Sequence, residues 1–402
     1  MRTNVVELGR LILGAYNNAP AVKRLFDEAG VTPEEIKEPK DLASLPVTKK
    51  ERLLEMQRSS PPFGGFCGVP IEKLRHIFVS PGPIYDPQGD DDLGLGFKQA
   101  FRAAGVGPKD VVLNTWSYHL VPAGIAFDEA LTELGATVIP AGVGNTDLQA
   151  QVIIELGVTV VVASTAFFVT LTEKLAEMGY KLPTDWKVRA AFLGGEPGDW
   201  YSRRRQLEER FSFRSFSAYG SADLGMIGWE CGHEPGYHVL PTKIVQICDP
   251  YSGQPLPDGE PGEIVVTALS EAYPLIRFGT GDVATLRPSC PCGETAPKLS
   301  PLVARVGDAV KAREIFLYPR NIEELVRSVP GLARAQAVVT RAGHRDEIRL
   351  RISPQSEANP ESVASDASKA FAALCRLRPD TVEIVRDDGL ENQPTIIDQR
   401  RL

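Results

Sequence analysis

The sequence lacks the features that would assign it to a membrane, a nucleic acid or an oxidising compartment. Nowhere in its 402 residues do 18 consecutive apolar residues occur, so no membrane span is expected. The opening stretch, MRTNVVELGRLILGAYNNAPAVKRLF, has no uninterrupted apolar core and no small-residue cleavage site. Its apolar spacing is that of an amphipathic helix rather than a signal sequence. No Lys/Arg run offers the electrostatic footprint of a nucleic-acid binder, and the formal net charge is −8. Six cysteines, in a chain of this length without a secretion signal, argue against a disulfide framework. Internal repeats and low-complexity tracts are missing too. These absences leave a cytoplasmic protein, with neither membrane nor nucleic acid as a partner, as the expectation.

What is present is ordinary globular composition, 43% hydrophobic and 24% charged. The length allows two or three domains, each able to bury a core. Residues 1–60 read as helices joined by turns, with Thr48 as the N-cap of the last one. Short apolar runs then alternate with helix-period segments such as 145–156 and 166–179. The runs are VVLNT (111–115), ATVIP (136–140), VTVVVAS (158–164), VRAAFLG (188–194), KIVQICD (243–249) and EIVVTAL (263–269). This alternation predicts an α/β domain with a largely parallel sheet. Ligands of such sheets sit beyond the carboxyl ends of the strands, where the Gly- and Pro-containing turns lie. From about residue 305 the pattern changes. Helices at 320–329 and 360–376, a strand pair at 334–341 and 346–353, and TVEIVR predict a small α+β domain.

Several segments then follow one another in a telling order. They are LPVTKKERL (45–53), NTWSYHLVPAG (114–124), IPAGVGNTDLQ (139–149), GGEPGD (194–199), YGSADLG (219–225), YPLIRFGTGD (273–282) and CPCGET (290–295). Together they resemble the phenylacetate-CoA ligase branch of the adenylate-forming (acyl-CoA synthetase) superfamily, over nearly the whole chain. The resemblance implies an adenylation (AMP-binding) domain over 1–306 with mostly parallel sheets, and a small α+β C-terminal lid over 307–402. It implies ATP-dependent activation of a carboxylic acid to an acyl-adenylate, with Mg²⁺, followed by transfer to coenzyme A or another nucleophile, with CoA or a carrier-protein thioester as the expected partner. Asp308 matches the acid about which the lid turns.

Residue roles follow from the same resemblance, each beside a plainer alternative. Asp282, after Gly-Thr-Gly, would accept both ribose hydroxyls through charge-assisted hydrogen bonds, although turn-capping aspartates are common. Arg305 would be its companion. Tyr219 would stack on adenine, Gly220 and Ser221 would pass the α-phosphate, and Asp223 would hold Mg²⁺. Asp223 stands where the family has a glutamate, one methylene longer. Gly195, Glu196 and Pro197 resemble the adenine-side turn; a loop carboxylate is the alternative for Glu196. Trp116, Tyr118, His119, Gly142 and Ala218 would line an acyl pocket suited to a flat, aromatic acid, though a histidine beside apolar residues is often merely packed. Cys231, Cys290 and Cys292 are candidate metal ligands. His238 completes a Cys₃His set suited to structural zinc; it is preferred to His233 because it matches the family's G-x-H, and free buried thiols are the alternative. Cys67, Cys248 and Cys375 read as core or surface residues.

Three positions depart from the family pattern. The phosphate loop is represented by SPGPIYDP (80–87), which keeps Ser80, Gly82 and Pro87, loses both threonines, and adds prolines that cannot donate an amide proton. Asp86 adds a negative charge there. The C-terminal lysine that touches the acyl carboxylate and α-phosphate falls on Pro394-Thr395; Arg400 or Arg401 could be recruited in its place, but the register argues against it. Glu314 stands where the thioester tunnel has a glycine. The residues therefore admit a divergent aryl-acid ligase, an ATP-independent acyl transferase using a ready-made thioester or adenylate, or a non-catalytic ligand-binding relative.

Overall fold

The computed structural model describes residues 5–80, 83–90, 96–194, 200–250, 252–260, 262–302, 304–306, 310–313, 315–317, 319–375, 377–385, 387–390 and 393–400. One compact unit runs to Val306 and a second begins at Gly307, the segment 195–200 excepted. In the first unit, five parallel strands lie in the order 137–140, 111–114, 160–164, 190–194, 214–216. Their β-branched runs are buried on both faces, as in Val160–Ala163, where exposure never exceeds 1%. Helices Ala123–Glu133, Thr146–Glu155, Thr165–Glu177 and Trp200–Phe211 make the crossovers. Ser164 ends one strand and caps the next helix, accepting a hydrogen bond from Phe167 N at 3.1 Å. Phe101, Phe127 and Phe192 fill one face of the sheet, with Phe101 and Phe192 centroids 4.7 Å apart. Phe168, Trp186 and Phe213 fill the other.

The last two apolar runs belong elsewhere. Lys243–Cys248 pairs antiparallel with Gly262–Ala268, which in turn pairs antiparallel with Leu275–Ala284 in a separate sheet. Thr48 does not cap a helix: it sits in a short strand beside Phe278, and Lys50–Ser59 starts without a side-chain cap. Arg277 explains the attachment. This side chain is 1% exposed at φ 47°, and it donates to the carbonyls of Ala43 (3.0 Å), Leu45 (2.6 Å) and Gly253. One buried cation thus ties the segment around residue 45 to the sheet, and that tertiary demand overrides local capping preference. A third sheet carries strands 286–287, 298–299, 237–239, 225–229 and 218–221.

The second unit is an α+β layer with strand order 381–384, 345–354, 332–342, 396–398. Helices Pro319–Ser328 and Pro360–Cys375 cover it through Ile322, Leu325 and Phe371. Among the described residues, no helix of either unit is long and apolar enough to cross a membrane.

Candidate functional site

The strand Leu275–Ala284 contains the Gly-Thr-Gly segment, which is not a turn. Its register against Gly262–Ala268 slips between Glu263 and Val265, and Gly281 adopts φ 73°, so residues 280–282 form a bulge. The bulge turns the half-buried Asp282 toward Tyr219, whose hydroxyl donates to Asp282 Oδ2 at 2.9 Å. The Tyr219 ring is itself 7% exposed and packs against Tyr237 with centroids 5.9 Å apart. Gly220 follows for a steric reason: a Cβ there would lie 2.4 Å from the carbonyl oxygen of Gly225 across the hairpin. Ser221 Oγ accepts from Leu224 N at 3.3 Å and so closes the turn that carries Asp223.

The side chain of Asp223 is fully buried and ion-paired with the Lys50 ammonium. Lys50 begins helix Lys50–Ser59, and Gln57 on the same helix clamps the backbone of Tyr85 with two hydrogen bonds of 2.8 Å. Tyr85 lies in a hairpin of His76–Ser80 against Ile84–Gln88. Strand alternation puts Ile84, Asp86 and Gln88 on its inner face. Asp86 is therefore a buried residue, 3% exposed, rather than a charge on a loop. Burial first, and then the neighbouring Asp223 charge, push its carboxyl well above the usual carboxylate range.

At the carboxyl end of strand 111–114, buried Asn114 organises the following loop. Its Nδ2 donates to Tyr118 Oη (2.8 Å) and to the Gly124 carbonyl (3.0 Å), and its backbone carbonyl accepts from Gly142 N (3.0 Å). Tyr118 in turn donates to Asp128 Oδ2 at 2.8 Å; burial and that carboxylate raise its pKa. The Tyr118 hydroxyl is thus committed to Asn114 and Asp128. Trp116 stands edge-on to Phe127. Ala218 is half-buried and His119 is exposed.

Cys231, His238, Cys290 and Cys292 converge, with all four ligand atoms within 4.8 Å of one another. The Cys231 and Cys290 sulfurs are 3.9 Å apart, and Cys292 Sγ is 3.3 Å from His238 Nε2. A tetrahedron with ~2.3 Å metal–sulfur arms has edges of about 3.8 Å, so the set fits a zinc ion. His238 Nδ1 lies 3.2 Å from the Ala296 carbonyl, which orients the ring, whereas His233 is exposed. Lys298 donates to both Cys231 (3.4 Å) and Cys290 (3.3 Å). Burial alone would raise the Cys231 thiol; the amides of His233 and Glu234, His238 and the Lys298 charge outweigh it and bring it to about 6.

Gly82, Gly195, Glu196, Pro197, Asp308 and Glu314 lie outside the described residues, and Arg305 is described by its backbone, which pairs with Asp282. In the second unit, the Thr395 carbonyl accepts from Ala337 N (2.9 Å). Arg400 is buried and turned inward on Asp346 (3.0 Å) and Asp398, so it is not a substitute for the missing lysine. Arg401 is outside the described residues. Lys50, Asn114, Asp128 and Lys298 escaped sequence reasoning. Lys50 and Asn114 each had one signal, their places in LPVTKKERL and NTWSYHLVPAG; Asp128 and Lys298 depend on folded contacts.

Residues 95–270 match the family model of AMP-binding enzymes. The chain is 30% identical to phenylacetate-coenzyme A ligase of Thermus thermophilus over 95% of this chain and 88% of that protein. It is 30% identical to the phenylacetate-coenzyme A ligase of Escherichia coli over 84% of this chain and 78% of that one. Its fold is that of 2-hydroxyisobutyryl-CoA ligase in complex with 2-HIB-AMP and CoA, with a TM-score of 0.88, 23% identity, and coverage of 99% of this chain and 89% of that chain. The match in sequence along nearly its whole length shows that the chain belongs to the phenylacetate-coenzyme A ligase family of adenylate-forming enzymes.

Proposed function

We propose that the protein is an ATP-dependent acid–CoA ligase that converts an aromatic carboxylic acid to its acyl-adenylate and passes the acyl group to coenzyme A. The observation that carries this reading is the Tyr219–Asp282 pair, a half-buried carboxylate aimed by a bulge and touched by the tyrosine hydroxyl. Its charge is suited to the ribose hydroxyls of a nucleotide. Tyr219 flanks the adenine, and the backbone of Gly220 and Ser221 passes the α-phosphate. Ser80 and Gly82 are what remains of the phosphate loop. Arg305 assists Asp282, and Asp308 is the hinge between an adenylation domain over 1–306 and a lid over 307–402. The acid lies against Trp116, the Tyr118 ring, Gly142 and Ala218, with His119 at the mouth. Mg²⁺, when bound at Asp223, supplies neutralising charge to the phosphates.

The Cys₃His set holds a structural zinc ion, supported by its tetrahedral spacing. About one zinc per chain is expected by elemental analysis, and stripping it with a chelator should lower the thermal midpoint by several degrees.

Pyrophosphate release from Mg-ATP with a panel of aryl acids, followed by acyl-CoA formation, tests the ligase reading; no release with any acid overturns it. A second reading, ATP-independent acyl transfer, is favoured by the two carboxylates on the phosphate side and the inward-turned Arg400. Product formed from an acyl thioester without ATP would establish it.

A further inference from the structure

Among the described residues, unpartnered buried polar atoms gather on the phosphate side of the site. Ser80 Oγ, both carboxylate oxygens of Asp86, Asp223 Oδ1 and Tyr273 Oη have no hydrogen-bond partner. These groups act on one another electrostatically: the Asp223 and Lys50 charges and the Ser80 hydroxyl act on the Asp86 carboxyl, and both carboxylates act on Tyr273. Asp86, Asp223 and Tyr273 line a single cleft together with Phe78, Gln88 and Lys243. The side chains of Ser80 and Asp86 are 2% and 3% exposed, so water cannot freely solvate them. Lys50 satisfies one oxygen of Asp223 and leaves the other open.

Burying an unpaired carboxylate is costly, and buried acids are normally paired or coordinate a metal. Here Lys50 is ion-paired with Asp223, Lys243 lines the same cleft, and the unsatisfied atoms are all oxygens. That is a hard donor set, of the kind that suits Mg²⁺ or Mn²⁺. The donors come from two separate segments, the paired strands 76–80 and 84–88 and the turn 222–224, so an ion between them would also fasten those strands to the turn.

We propose that Asp86 and Asp223 jointly bind one divalent, oxygen-preferring cation, and that they do so before any nucleotide arrives. The proposal deepens the reading of Asp223 as the Mg²⁺ carboxylate and rests on it. It gives Asp86 a positive role: the protein supplies a second carboxylate where hydroxyl donors are missing, and the metal rather than the loop receives the polyphosphate.

The test titrates Mn²⁺ into the nucleotide-free full-length protein, with free Mn²⁺ followed by electron paramagnetic resonance. Wild type should bind one Mn²⁺ that Mg²⁺ displaces. Asp86→Asn and Asp86→Ser should each weaken it roughly tenfold or more, the scale on which metal sites respond to losing a supporting group. Calorimetry with AMP in the absence of divalent ions accompanies each titration. AMP binding retained in a variant that has lost Mn²⁺ shows that the variant is folded and isolates the metal effect. Failure of wild type to bind AMP would remove the nucleotide reading while leaving the Mn²⁺ result to stand. No Mn²⁺ binding by wild type, or binding that both substitutions leave unchanged, overturns the proposal.

Discussion

The proposed nucleoside side around Asp282 and the proposed phosphate side around Asp86 satisfy their polar groups in opposite ways. Around Asp282 the atoms are settled: Tyr219 donates to one oxygen, and the backbone amide of Asp282 donates to Thr280 Oγ1 at 3.1 Å. Around Asp86 they are not, since neither oxygen has a partner. The first arrangement is organised before ligand arrives. The second buries carboxylate oxygens without hydrogen-bond partners, which a bound cation or a proton would satisfy. A family scaffold can therefore keep its nucleoside recognition while the polyphosphate end is rebuilt, because different strands and turns carry the two.

Substitutions can break this contrast at either end. Lys50→Met should have the largest effect, because it leaves the buried Asp223 charge without its partner. A loss of about 3–5 kcal/mol is expected in urea denaturation with chelator present, partly restored by Mg²⁺. Asp282→Ala should weaken AMP by about 10- to 100-fold in calorimetry, the value of a charge-assisted hydrogen bond, while Asp86→Asn leaves AMP within about threefold. Tyr219→Phe removes a single hydroxyl from a settled pair and should cost about 1 kcal/mol of stability. Smallest is Glu263→Gln. Glu263 is 4% exposed, and burial raises its carboxyl pKa although the Gly281 amide opposes the shift. A carboxyl raised in the folded state stabilises the fold fully below its unfolded pKa, and that contribution is lost as pH rises through the folded value. The glutamine variant should therefore show a flatter fall in stability as pH climbs above 4.5, measured by thermal melts across pH.

The parallel sheet was legible because strands 111–114, 160–164 and 190–194 are apolar runs buried on both faces and separated by helix-period segments. The two later runs look the same in sequence, yet pair antiparallel, since a fully buried strand gives no local sign of its partner's direction. Thr48 and the Gly-Thr-Gly segment were misread for a related reason: Arg277 and the register slip at Glu263 act across more than two hundred and about twenty residues respectively. In the site, the Cys and His residues stood out by type. Asp86 looked like a loop charge because its inward position follows from pairing with Phe78, not from its neighbours in SPGPIYDP. Lys50 was hidden among exposed charges of an amphipathic helix and becomes distinctive only opposite Asp223.

The most direct measurement compares AMP and ATP binding by calorimetry, each with and without Mg²⁺. A settled nucleoside end beside an acidic phosphate end predicts that AMP binds in either condition and that ATP binds only when the cation is present. ATP binding equally well in chelator, or neither nucleotide binding at all, would contradict it.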